Sequence, residues 1–213
     1  MPQATTVVTP ARYEQGLAYT DFLAQAKVNV DKFELYYRTS PLTTDDMAFF
    51  VEAAALPDGP AKILALAEAW CGDVYRELPT IARIAEATGM TLRVFLRDEN
   101  PDIMDEFLSN DGKSRAIPVF VFYTRDHDYI THFTERSASA HAELAAIMTD
   151  VKTEMKLPSS VTLATVPDGE RQAFIQELVA RILPRFPEWQ KASIGEMRKL
   201  LSTALKIPDV AAS

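Results

Sequence analysis

The spacing of apolar residues divides the chain into helical and strand-forming stretches. Through residue 57 the pattern is helical. Thr9 followed by Pro10 reads as an N-cap with proline at the first helical position, and Thr43 with Asp46 resembles a capping box. Met47, Phe50, Val51 and Ala54 fall at i, i+3, i+4 and i+7, which predicts one apolar helix face. Pro57-Asp58-Gly59-Pro60 ends that helix. From Lys62 the period changes, because Ile63-Leu64-Ala65-Leu66-Ala67 is a continuous apolar run of the kind a sheet buries on both faces. After Cys71, Val74, Leu78, Ile81 and Ala85 return to helical spacing until Gly89 supplies a stop.

Leu92, Val94 and Leu96 alternate with Thr91, Arg93, Phe95 and Arg97, predicting a second strand, and a short helix follows over 102–108. A third strand is expected over 117–123. The polar turn Arg125-Asp126-His127-Asp128 then leads into a hairpin partner over 129–133, and a closing helix begins near Ser139. Strand, helix, strand, helix, hairpin, helix is the order of an α/β domain, a four-stranded mixed sheet with helices on both faces. Beyond Lys156 come two helical stretches, about 168–183 and 193–205, the first with Phe174, Leu178 and Ile182 on one face. The expected organisation is an N-terminal helical extension (1–60), the sheet domain (61–156) and a C-terminal helical extension (157–213) packed on the core. The extensions could as easily bury a homodimer interface.

Composition narrows the function classes. With 30 acidic against 22 basic side chains, the formal charge of -8 repels phosphate backbones, so nucleic acid is not an expected partner. The start, Met1-Pro2-Gln3-Ala4-Thr5-Thr6, lacks the basic and apolar blocks of a secretory signal, and no apolar run approaches a membrane span. The expectation is a soluble cytoplasmic protein with no membrane partner. The single cysteine excludes an intramolecular disulfide. Together with His127, His132 and His141 it shows no close metal-ligand spacing, so no metal is expected. The histidines are expected on the surface, in or beside the hairpin at the far side of the sheet from Cys71.

Candidate chemistry centres on Cys71, which stands where the first strand ends and the next helix begins. Unpaired helix N–H groups and the positive end of the dipole favour a thiolate there, while Asp73 opposes it if close.

At these residues the sequence resembles the thioredoxin superfamily. Trp70-Cys71-Gly72-Asp73 resembles the family's Trp-Cys-Gly-Pro-Cys loop, Asp98-Glu99-Asn100-Pro101 its Asp-x-Asn-Pro, and Arg115-Ala116-Ile117-Pro118 the Arg-Gly-Ile-Pro that carries its cis-proline. The stretch from Leu64 to Pro118 is similar to a bacterial group of thioredoxin family proteins that also carry helices before the loop. The resemblance implies a thioredoxin-like fold with helical extensions and a thiol-based role. It implies Cys71 as the catalytic thiol, a cis Pro118, and a substrate-binding surface from Trp70, Gly72, Asp73, Ile117 and Pro118, with the Ile117 backbone pairing with an extended substrate.

Two departures shape the expected chemistry. Val74 occupies the resolving-cysteine position, and Ala65 aligns with the family's buried acid. A dithiol cycle is therefore excluded, and exchange must pass through a mixed disulfide that an external thiol resolves. The expected function is a monothiol, glutaredoxin-like thiol–disulfide oxidoreductase. It would act on protein or small-molecule disulfides, with no bound cofactor and with glutathione or another low-molecular-weight thiol as reductant. The alternative is a redox-inert thioredoxin-like protein-binding module in which Cys71 only packs. Other readings fit less well. Four residues separate Cys71 from Arg76, one short of a C-x5-R phosphate loop, and Glu68 stands where a peroxiredoxin has Thr or Ser. A glutathione transferase would put its long helical domain after the sheet. For Trp70 a core cap is as good a reading as a substrate surface. For Asp73 the helix dipole is explanation enough, and Arg97-Asp98-Glu99 reads as a solvated strand end.

Overall fold

Four short helices open residues 6–209, which the computed structural model describes: α1 (Pro10–Tyr13), α2 (Tyr19–Gln25), α3 (Val30–Arg38) and α4 (Thr44–Ala55). Local chemistry sets their ends. The Thr9 hydroxyl caps α1 by accepting from Arg12 N at 3.2 Å. At α4, Thr43 Oγ1 accepts from Asp46 N at 3.1 Å and Asp46 Oδ2 accepts from Thr43 N at 3.0 Å, a complete capping box. The buried face of α4 differs from the one its spacing predicts. Phe49, Phe50 and Ala53 are buried while Val51 is 43% exposed. Two adjacent phenylalanines allow two apolar stripes about one residue apart, and the helix turns to bury both rings.

The sheet comprises β1 (Lys62–Ala67), β2 (Thr91–Leu96), β3 (Val119–Tyr123) and β4 (Tyr129–Thr134), in the order β2-β1-β3-β4. Central β1 runs parallel to β2 and antiparallel to β3, and all of Ile63 to Ala67 is buried, as a continuous apolar run requires. Leu66 faces Val119 across the ladder, so the exit of β1 meets the entry of β3 at one end of the sheet. That register places Cys71 beside Ile117 and Pro118. Between β1 and β2 runs α5 (Gly72–Thr88), whose Val74, Leu78, Ile81 and Ala85 are all buried, and Gly89 ends it with φ 75° in the left-handed region. The short α6 (Pro101–Met104) follows β2. Leu17 and Val94 exchange backbone hydrogen bonds of 2.8 Å, tying the chain before α2 to β2.

Three helices follow β4: α7 (Ala138–Glu154), α8 (Asp168–Ile182) and α9 (Phe186–Leu205). The helix expected to close the sheet, α7, packs chiefly on α8 instead. Val151, Phe174 and Leu178 form a small core of their own there. The helix lying against β4, α4 and α5 is α9, and its Ile194, Met197 and Leu201 join the main core. Side-chain size explains the exchange. Ala138, Ala140, Ala142, Ala145 and Ala146 give α7 little apolar bulk, whereas Ile194, Met197 and Leu201 form a broad stripe at i, i+3 and i+7.

Candidate functional site

The turn from β1 into α5 carries the cysteine. Cys71 N donates to Glu68 O at 3.1 Å, and Cys71 occupies the N-cap of α5 with φ -80° and ψ 129°. Its Sγ donates to Ile117 O at 3.7 Å, and the Ile117–Pro118 peptide bond is cis. Cys71, Gly72, Ile117 and Pro118 are thus brought together. Gly72 begins α5, and a Cβ there would meet the Tyr75 ring at ordinary contact distance, 3.5 Å or more, so no tight approach demands glycine. Val74, at the position of a second cysteine, is fully buried.

Burial pushes the Cys71 thiol above its ordinary value. The Val74 and Asp73 backbone N–H groups and the Arg136 charge oppose the shift without cancelling it, while Asp73 adds to it. The helix N–H groups favour a thiolate, as expected, and Asp73 opposes it, but burial outweighs the N–H groups.

Asp73 does more than complement the dipole. It pairs with Arg76 at 2.7 Å and with Arg136, which also reaches Glu135 at 2.8 Å. Arg76, with its side chain 1% exposed, sits 2.7 Å from Glu77 Oε1 and beneath the Phe186 and Trp189 rings at 4.9 and 5.4 Å. Ser193 Oγ donates to Glu77 Oε1 at 3.1 Å, and Gln190 Nε2 donates to Arg76 O at 2.8 Å, so α9 completes the cluster. Burial raises Glu77 despite Arg76. Arg76, Glu77 and Arg136 escape a sequence reading because polar residues on a helix or strand end read as solvent-facing. The only hint is the aromatic Phe186 and Trp189 spaced to cover a cation.

On the β1 side, Trp70 is 53% exposed rather than a core cap, and the Arg97 guanidinium lies 5.0 Å from its ring centroid. Arg97 also donates to Arg115 O at 3.4 Å and pairs with Asp98 at 2.6 Å, while Asp98 N donates to Glu68 Oε1 at 2.9 Å. The segment expected to be a solvated strand end therefore braces Trp70.

Two of the histidines are half-buried and held by neighbours rather than freely exposed. His127 stacks on Tyr123 at 4.6 Å and bonds Val8 O at 2.8 Å, and His132 lies 2.6 Å from Tyr129 Oη, its burial lowering its pKa. His141 sits 3.6 Å from Glu135, which pairs with Arg136, at the Cys71 end of the sheet rather than the far side. Among the described residues no three or more His, Cys, Asp or Glu side chains are grouped to hold a metal ion. Nor is any helix among them long and apolar enough to cross a membrane.

Comparison with known proteins bears on the fold. The chain is similar to the crystal structure of a protein of unknown function from Pseudomonas aeruginosa, with a TM-score of 0.57 and 13% identity over 92% of this chain and 99% of that one. An HIV epitope scaffold gives a TM-score of 0.56 and 11% identity over 92% of this chain and 99% of its own. At such identities these likenesses speak to the fold alone. No curated protein matches the chain. A family model described as thioredoxin matches residues 16–154, well over half the sequence and including the Cys71 loop, α2 to α4 and the whole sheet. The chain belongs to the thioredoxin family, and its α/β sheet with helical extensions is a thioredoxin-like fold.

Proposed function

We propose that this chain is a monothiol thiol–disulfide oxidoreductase working through Cys71. The observation that supports this reading is the sulfur at the α5 N-cap, 3.7 Å from the carbonyl before cis Pro118, where an extended disulfide-bearing segment can lie along the Ile117 backbone. Cys71 first loses its proton. The thiolate attacks one sulfur of a disulfide R–S–S–R′, forming Cys71–S–S–R and releasing R′–S⁻. The chain has no other cysteine. A small external thiolate, glutathione or a comparable thiol, therefore attacks the R sulfur, restores the Cys71 thiolate and leaves as the mixed disulfide with R. Such a cycle suits a thiol-rich cytoplasm. The raised thiol pKa makes exchange slow near neutrality and faster as pH rises, because only the thiolate attacks.

The same upward shift favours a second reading, a redox-inert binding module whose cysteine stays neutral. Intact-mass measurement after exposure to glutathione disulfide across pH 7 to about 9.5 separates the two. The expected outcome is a dithiothreitol-reversible adduct on Cys71 that forms faster at higher pH, with iodoacetamide labelling whose midpoint lies above about 8.5. A folded protein that takes no adduct even at the top of that range removes the oxidoreductase and leaves the module.

A further inference from the structure

Beside Trp70, on the side away from α5, a groove of about 520 Å³ opens between α2, the loop joining α2 to α3, and the ends of β1 and β2. Phe22, Val28 and Trp70 give it apolar walls, while Glu68, Glu99 and Lys27 are its charged lining. Two of those walls face solvent, Val28 at 48% and Trp70 at 53% exposed. The loop that forms one side is anchored, since Asn29 Nδ2 donates to Ala69 O at 2.9 Å. The groove is therefore formed in advance of any ligand.

Glu68 makes the groove more than an apolar dent. The residue is 9% exposed, and among the described residues its carboxylate takes one hydrogen bond, from Asp98 N to Oε1 at 2.9 Å. The other oxygen takes no hydrogen bond from the described residues. A carboxylate oxygen with no protein donor in such a groove suits a donor, above all a cationic one. Burial raises its pKa, which a bound cation would reverse. Glu99 adds a second negative charge to the lining, against Lys27 there and Arg97 just outside it. Arg97, held over the indole by its own bonds to Asp98 and Arg115, is not part of the lining.

We infer that this groove binds an arginine or lysine side chain of the polypeptide whose cysteine exchanges with Cys71, its aliphatic stem against Phe22, Val28 and Trp70 and its charged head on Glu68 and Glu99. The inference rests on the exchange reading above for the identity of the polypeptide. The stem and head match the two chemistries of the lining. Cys71 and Glu68 share one tight turn, Cys71 N bonding Glu68 O at 3.1 Å, so the groove borders the cysteine loop. An extended segment covers about 3.3 Å per residue, so a basic side chain a few positions from the cysteine is the one to test.

Fluorescence anisotropy with labelled peptides tests this without any redox step. One peptide carries arginine three positions before a serine that replaces the cysteine, and its counterpart carries glutamate. The full-length protein is expected to bind the arginine peptide at least tenfold more tightly. That ratio should fall toward one in Glu68→Gln with Glu99→Gln, and rise in Lys27→Gln. Equal binding of both peptides, or a ratio the carboxamide variants leave untouched, overturns the inference. The exposed Glu99→Gln variant alone, expected to lose part of the ratio, guards against misfolding of the pair. A parallel reaction with a small neutral disulfide reads exchange by itself. Exchange without peptide discrimination removes the groove and spares the oxidoreductase, whereas discrimination without any Cys71 adduct does the reverse.

Discussion

Arg76, on the α5 side of the Cys71 loop, lies between Asp73 and Glu77 under two aromatic rings, whereas Glu68, on the β1 side and less deeply buried, has one backbone N–H as its hydrogen-bond partner. The same ingredients, charge and low exposure, serve opposite ends. Where opposite charges, hydroxyls and rings enclose the ion, the cluster locks α5 to α9. Where one carboxylate oxygen stays unmatched beside exposed Trp70, the surface holds a preference for something it does not itself contain. Burial of a charge therefore does not assign its role. What surrounds it does: Arg76 sits between two carboxylates under two rings, while Glu68 lines a groove.

The sharpest way to break this contrast is to remove the cation on the enclosed side. Arg76→Ala leaves buried Glu77 without its cation while Asp73 keeps Arg136, and a loss of about 3–5 kcal/mol is expected in urea unfolding. Glu68→Gln keeps an acceptor for Asp98 N, so its cost should stay under about 1 kcal/mol. Near-equal losses would show that both flanks are structural.

Smaller effects are expected on the sulfur. Asp73 and Arg136 press on Cys71 in opposite directions. Asp73→Asn removes a negative charge and should lower the midpoint of iodoacetamide labelling, and Arg136→Gln removes a positive one and should raise it. Burial, the largest influence, is untouched in both, so neither variant should restore an ordinary thiol. Shifts of the same sign would mean that the pair acts through local structure and not through its charges. The smallest change expected is in the stability of Trp70→Ala, about 1 kcal/mol or less for an exposed ring with one arginine over it. The same variant should bind the arginine peptide distinctly less well.

What the sequence reveals, and what it conceals, follows the same physical line. The strand at Ile63–Ala67 and the helix of Val74, Leu78, Ile81 and Ala85 are legible because apolar periodicity reports directly on burial. Both caps and the Gly89 stop are legible because their chemistry is local. Cys71 itself is legible from its place between strand and helix, but its protonation is not, because the desolvation comes from distant residues around Ile117. The enclosed cluster is hidden for the same reason. Nothing near Arg76 in the sequence announces Phe186, Trp189 or Ser193, more than a hundred positions later. The stripe on α9 is legible in the sequence, but the order of elements points to the helix right after the hairpin, whose alanines give it less apolar bulk.

That late helix has a consequence for how the protein is made. The sheet strands end at Thr134, yet the apolar side chains that cover β4 reside near Leu201. At roughly 5–20 residues per second, synthesis brings α9 out of the ribosome several seconds after the hairpin. During that interval β4 emerges with its covering helix unmade. A nascent chain in this state presents an open apolar surface to chaperones and to its neighbours until the last helix docks.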